Sequence, residues 1–306
     1  MRSVSVNKYQ GIFPAFYACY DEGGDISQAR CQALARHLLA QGVQGLYVNG
    51  SSGECIYLSV DERKRVLEAV MEAVGGKMTV IAHVACNNTQ DSMALANHAQ
   101  ALGVDAIAAI PPIYFRLPEE AIARYWNDIS DAAPDTDFVI YNIPQLAGVA
   151  LTPGLFQEML KNPRVKAVKN SSMPVQDIEI FRTLGQGKIS VFNGPDEQFV
   201  AGRVMGAEGG IGGTYGVMPR LFLKADEFVR SGSFEGARAI QVEINRVISL
   251  LLTGKSNLYA MLKEVLRQKG IICGSVRAPL TPLQGGDREI ARQAAVIIAR
   301  AEQGVM

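Results

Sequence analysis

The chain has 306 residues, 48% of them hydrophobic and 20% charged, and its 30 basic and 30 acidic side chains cancel to a formal net charge of +0. That composition excludes wholesale disorder, and it lacks the basic excess carried by proteins that live on nucleic acid or anionic membranes. A chain this long buries roughly three quarters of its unfolded surface, enough for a core without staples.

Short apolar or β-branched runs alternate with amphipathic stretches. The predicted elements begin with a strand over 12–19 and a helix over 28–41, then a strand over 45–49 and a helix over 60–74. That second helix has the clearest start, because Ser59 and Glu62 form a capping box ahead of the stripe Val66, Val70, Ala73 and Val74. Strands over 78–84, 106–110 and 138–143 follow, with helices over 89–101, 119–132 and 153–160. The last three strands span 165–170, 189–193 and 209–213, with helices over 175–184 and 198–205 between them. Beyond residue 217 the pattern is helical only, over 221–230, 234–252, 257–268 and 288–303.

Eight strands each followed by a helix point to a parallel α/β fold, and the count matches a (β/α)8 TIM barrel better than a doubly wound open sheet. The barrel is expected over residues 1–231 and a C-terminal helical extension over 232–306. No Pro- or Ser-rich linker divides them, so the extension is expected to pack on the barrel as part of one unit.

The five cysteines, Cys19, Cys31, Cys55, Cys86 and Cys273, are an odd number without a CxxC pair, which reads as reduced thiols in a cytoplasmic protein. The start MRSVSVNKYQ has no apolar h-region, and no uninterrupted apolar run approaches the length of a membrane span. Two glycine motifs fail. In Gly209–Gly216 the third glycine of a dinucleotide loop would fall on Tyr215, and the phosphate-loop glycine before Gly254-Lys255-Ser256 would fall on Ser249. His37, His83 and His98 lie far apart, without metal-ligand spacing, and read as surface or satisfied core residues.

In an α/β barrel the chemistry sits at the C-terminal strand ends. Those ends carry Asn49–Glu54, Pro111–Tyr114, Tyr141–Pro144, Lys169–Ser172, Asn193–Glu197 and Gly212–Thr214, so polar groups collect at one end of apolar strands. Strand parity puts Val165, Ala167 and Lys169 on one face and Lys166 and Val168 on the other. An inward Lys169 would be desolvated, and its pKa lowered toward that of a Schiff-base nucleophile. A strand-end lysine reaching into water fits the same position. Tyr141 shares a face with Val139 and Ile143, either as a proton carrier or as a core tyrosine with a wet hydroxyl. Ser51 to Glu54 reads equally as a carboxylate nest or as a second capping box.

Taken together, GSSGE, YNIP, the lysine in VKNSS and the GPDE turn resemble the N-acetylneuraminate lyase and dihydrodipicolinate synthase family of class I, Schiff-base aldolases. The match runs in order from about residue 12 through the helical tail. The resemblance implies a (β/α)8 barrel with extra C-terminal helices, usually a homotetramer, acting on pyruvate-derived 2-keto acids without metal or organic cofactor. Carried over by motif, Lys169 resembles the imine-forming lysine, Tyr141 the proton shuttle, and Ser51 and Ser52 the pyruvate-carboxylate site. Tyr114 resembles the tyrosine that completes a Ser–Tyr–Tyr relay in a neighbouring subunit. Ser171, Gly194, Asp196, Glu197 and Gly213 fall where lyases hold the sugar portion.

Synthases of this family carry an arginine two positions after the YNxP proline, for a second substrate carboxylate. Here Gln145 and Leu146 follow Pro144, and an unpaired buried carboxylate costs several kcal/mol. Asp196 and Glu197 instead supply acceptors for a polyhydroxylated chain. Pro195 and Gly213 depart from the common lyase pattern, which has a larger residue and a serine there. The resemblance therefore implies reversible cleavage of N-acetylneuraminate to N-acetylmannosamine and pyruvate. The alternatives are an aldolase or dehydratase for another 2-keto-3-deoxy sugar acid, a dihydrodipicolinate synthase, or a non-catalytic sugar-acid binding or regulatory protein. The Lys169–Tyr141 pair argues against the last, since binding alone requires no nucleophile.

Overall fold

The structure is a computed structural model and describes residues 8–304. Residues 1–7 of the stretch examined for a leader, and residues 305–306, lie outside the described residues. Eight strands form one parallel sheet: β1 (Gly11–Pro14), β2 (Gly45–Val48), β3 (Thr79–His83), β4 (Ala106–Ala109), β5 (Asp137–Asn142), β6 (Val165–Asn170), β7 (Ser190–Asn193) and β8 (Gly209–Gly212). Their order is β1-β8-β7-β6-β5-β4-β3-β2. At the remaining seam Ala15 bridges Tyr47 in parallel, and the Phe16 amide donates to the Tyr47 carbonyl at 2.9 Å, so pairing passes around a (β/α)8 barrel.

The helices are α1 (Gln28–Ala40), α2 (Val60–Val74), α3 (Thr89–Ala101), α4 (Glu119–Asp131), α5 (Pro144–Ala147), α6 (Pro153–Met159), α7 (Gln176–Leu184), α8 (Phe199–Val204) and α9 (Pro219–Arg230). Three more follow: α10 (Phe234–Leu251), α11 (Leu258–Gln268) and α12 (Asp287–Gly304). The capping box at Ser59 and Glu62 is present at the start of α2. The α5 turn was not expected. Pro144 occupies its first turn, and Gly148 ends it at φ +72°, where a side chain would be strained. Helix α10 packs on α9 and α12, and α11 packs on α12. Among the described residues no helix is long and apolar enough to cross a membrane.

Alternate residues of the strands fill the barrel interior, among them Phe13, Tyr47, Ile81, Ala108, Val139, Tyr141, Ala167, Phe192 and Ile211. Their neighbours pack outward against the helices. Two expectations need correction. The first strand ends at Pro14 rather than residue 19, although residues 15–20 are all buried. That apolar run is a covered loop, with the Tyr20 amide bonded to the Cys273 carbonyl at 2.9 Å; burial alone does not distinguish it from a strand. Val165 belongs to the outer layer, because the β5–β6 register slips between Phe138 and Val139 and leaves Lys166 as the extra residue. A bulge breaks strict alternation, so Ala167 and Lys169 point inward while Val165 does not.

The failed phosphate-loop motif has a structural counterpart. The amides of Lys255 and Ser256 both donate to the Asp287 carboxylate, at 2.9 and 3.1 Å, so α12 already occupies that turn. Cys19, Cys31 and Cys273, scattered in the sequence, meet as buried free thiols where α1 and the segment after α11 cover the β1 loop.

Candidate active site

The β5–β6 register sets Tyr141 beside Lys169 on the inner wall. Lys169 is 4% exposed, and its Nζ lies 4.0 Å from the ring centre of Tyr141 and 4.2 Å from that of Tyr47. Gly50 makes room for the second ring, since a Cβ there would fall 2.6 Å from a Tyr47 ring carbon. Burial brings the Lys169 pKa down to about 7, while the nearby Asp196 charge opposes the fall. Close to half of the side chain is therefore a neutral amine at neutral pH.

Asp196 follows β7 and reaches across to β8, accepting from the Thr214 amide and hydroxyl, both at 2.6 Å. Burial raises its pKa to about 6, and the Thr214 bonds restrain the rise. The Tyr141 hydroxyl meets those of Ser51 and Ser171; burial moves its pKa up to about 12, so it is a phenol at neutral pH. Ser51–Gly53 form a single 3-10 turn after β2. The Ser52 hydroxyl meets Tyr259 of α11, whose pKa burial likewise raises to about 12.

One cavity of about 310 Å³ at this end of the barrel is lined by Ser51, Ser52, Tyr141, Lys169, Ser171, Gly194, Asp196, Glu197 and Gly213. Nine of the ten candidates read from the sequence thus meet. Gly194 is required sterically, because a Cβ would fall 1.9 Å from the Ser171 hydroxyl. Glu197 stands at the exposed rim. The tenth candidate, Tyr114, lies elsewhere on a loop after β4, 90% exposed, with φ +86° and its ring edge-on to Phe115.

The capping-box reading of Ser51 and Glu54 is corrected. Glu54 has a left-handed backbone, φ +58°, and its carboxylate turns inward to Lys263 of α11 at 2.6 Å. Tyr47, Thr214 and Tyr259 were missed. Parity on β2 could have found Tyr47, whereas nothing local marks Tyr259, which arrives by packing of the C-terminal helices. His83 is a satisfied core histidine, with Nδ1 3.0 Å from the Asn49 carbonyl and Nε2 3.4 Å from the Ile110 amide. Burial keeps it neutral. Among the described residues no three His, Cys, Asp or Glu side chains are grouped to hold a metal ion.

A model of the dihydrodipicolinate synthetase family matches residues 8–298. The chain belongs to that family. Within it, the chain is 59% identical over 300 residues to the N-acetylneuraminate lyase of Mediterraneibacter gnavus, covering 98% of this chain and 95% of the relative. The wild-type sialic acid aldolase of Ruminococcus gnavus superposes with a TM-score of 0.97 at 59% identity, over 98% of this chain and 100% of the other. A structure of that aldolase's catalytic lysine mutant also gives 0.97, at 58% identity and full coverage of both chains.

Proposed function

We propose that the protein is a class I aldolase, a carbon–carbon lyase that cleaves N-acetylneuraminate reversibly to N-acetylmannosamine and pyruvate. The observation that carries this reading is a buried Lys169 with a pKa of about 7, set against Tyr141 in a hydroxyl-lined cavity. The similarity to an N-acetylneuraminate lyase over nearly the whole chain supports the choice of sugar.

The neutral Lys169 amine attacks the C2 ketone of the open-chain substrate, water leaves, and an iminium forms. The substrate carboxylate is held by Ser51, Ser52 and the amides of their turn. The iminium draws the C3–C4 electron pair as Tyr141 accepts the C4 hydroxyl proton. Because Tyr141 is protonated at neutral pH, it accepts that proton only as it passes its own toward Ser51. N-acetylmannosamine departs, its hydroxyls released from Ser171, Gly194, Asp196, Glu197 and Gly213. The same Ser51–Tyr141 relay returns that proton to C3 of the enamine, and water hydrolyses the resulting iminium to pyruvate and free Lys169.

Leu146 stands at the rim of the cavity, 62% exposed, and offers no charge to a second carboxylate. Pyruvate release from N-acetylneuraminate is therefore expected to outrun condensation of pyruvate with aspartate semialdehyde. Coupled assays for both reactions decide between the branches. Faster condensation refutes the reading, and imine formation without either reaction assigns the protein to another 2-keto-3-deoxy sugar acid.

The active form is proposed to be a cytoplasmic homotetramer, with the barrel and its helical extension acting as one unit. Tyr114 is proposed to complete the Ser51–Tyr141 relay of a neighbouring subunit, in keeping with its exposure and projecting loop. Tyr114→Phe is expected to lower kcat by roughly 10²–10⁴ with a smaller change in KM, as for a lost acid–base group. Light scattering that finds a fully active monomer refutes the shared site.

A further inference from the structure

We infer that Glu54 and Lys263 are positioning residues that hold the carboxylate-binding turn Ser51–Gly53 against Tyr259, an inference that rests on the aldolase reading above. Glu54 directly follows that turn, and the side chains of the ion pair are 0% and 1% exposed. One carboxylate oxygen accepts from Lys263 Nζ at 2.6 Å; the other accepts from the Arg277 amide at 2.7 Å and the Tyr20 hydroxyl at 3.1 Å. Lys263 also donates to the Ser275 carbonyl at 2.7 Å. A single carboxylate thus ties the β1 loop, the turn after β2, α11 and the segment after α11.

Stability alone gives little reason for this arrangement. An apolar pair of similar volume commonly serves a core as well as a buried ion pair does. Glu54 also adopts a left-handed backbone that L side chains rarely take, and surrounding contacts must hold it there. What the pair does fix is distance. Tyr259 lies one helical turn before Lys263 on the same face of α11, and its hydroxyl meets that of Ser52. The spacing is close: a Cβ on Gly213 would fall 3.2 Å from the Ser52 hydroxyl and 3.8 Å from the Tyr259 ring. Loosening the pair therefore lets the two walls separate where the substrate carboxylate sits, while Lys169 and Tyr141, on β6 and β5, keep their register.

The test uses full-length protein and pyruvate alone, trapped on Lys169 by borohydride over a range of pyruvate concentrations. Glu54→Gln, which keeps size and two acceptor bonds, is expected to raise the half-saturating pyruvate concentration about tenfold. The plateau of trapping and kcat at saturation should stay within about threefold. The double variant Glu54→Gln/Lys263→Met, which removes both charges, is expected to recover Tm but not half-saturation. Unchanged half-saturation in folded Glu54→Gln, or recovery of half-saturation together with Tm in the double variant, overturns the inference and leaves the aldolase reading intact. Should Glu54→Gln not fold, Tyr20→Phe removes one bond to the same carboxylate. A threefold shift then supports the inference and no shift overturns it. If wild-type protein traps no pyruvate, the aldolase reading fails first and this inference with it.

Discussion

Lys169→Ala is expected to fold and to lose about 10⁴–10⁶ in kcat, the scale on which removing a covalent nucleophile acts. A lysine of ordinary pKa is neutral only about once in several thousand molecules at pH 7. Burial in the barrel mouth recovers most of that deficit, because the ammonium loses water and the aromatic faces and the Asp196 charge only partly replace it. The substitution removes the amine altogether, so borohydride trapping of pyruvate should vanish with turnover. Wild-type kcat/KM should show an ascending limb with an apparent pKa near 7.

The same burial has a thermodynamic sign. The folded protein holds Lys169 at about 7 against 10.5 for the free side chain, so the unfolded chain binds more protons across that window. Folding is handicapped fully below about pH 7, and the handicap is relieved as pH rises toward 10.5. Lys169→Met should therefore raise stability by about 3–5 kcal/mol at pH 6, and by much less at pH 10. Thermal melts at the two pH values measure the difference; a destabilised Lys169→Met variant at pH 6 contradicts the account of the depressed pKa.

Tyr141→Phe is expected to separate two steps that Lys169→Ala abolishes together. The ring remains against Lys169 and edge-on to Tyr47, at a centroid distance of 5.6 Å, so packing and the amine's surroundings persist. Only the hydroxyl bridging Ser51 and Ser171 is lost. Cleavage requires proton transfer from the C4 hydroxyl, whereas imine formation with pyruvate does not. The variant should trap pyruvate to near the wild-type plateau while kcat for N-acetylneuraminate falls by roughly 10²–10⁴. Loss of trapping in parallel with kcat assigns Tyr141 to holding the lysine instead of moving the proton. A kcat within tenfold of wild type removes it from the relay.

How much of this was legible in the sequence depended on whether the information was local. Strand parity carried Tyr141 and Lys169 to one wall because both lie past the bulge, on the regular ends of β5 and β6. Val165 lies before it, and alternation placed it on the wrong face. The Ser59 capping box was readable because its two residues close on each other's backbone, and distant Arg277 meets only the other oxygen of Glu62, which leaves the box intact. The same spacing at Ser51 and Glu54 misled, since Lys263, 209 residues away, competes for that carboxylate. Tyr259 was invisible for a related reason, and Thr214 was legible as a strand-end polar group but not as the partner of Asp196. Each acquires its place through a partner on another element, and no periodicity within α11 or beyond β8 encodes that meeting.

The glycines of β8 bear on how such a protein could change its substrate. A Cβ at Gly209 would fall 2.0 Å from the Gly11 carbonyl oxygen, one at Gly210 2.2 Å from the Tyr215 hydroxyl, and one at Gly212 2.0 Å from Asp196. Those three positions accept no side chain, and Ile211 is the one residue of β8 that lines the cavity, so mutational drift at the glycines runs into the barrel itself. Gly213 is different. It has φ −71° and its nearest obstacle is the Ser52 hydroxyl, a rotatable group at 3.2 Å. Adaptation to a new sugar acid is thereby channelled to that one step past the strand and to the open rim at Leu146, Met173 and Glu197, where change leaves the wall undisturbed.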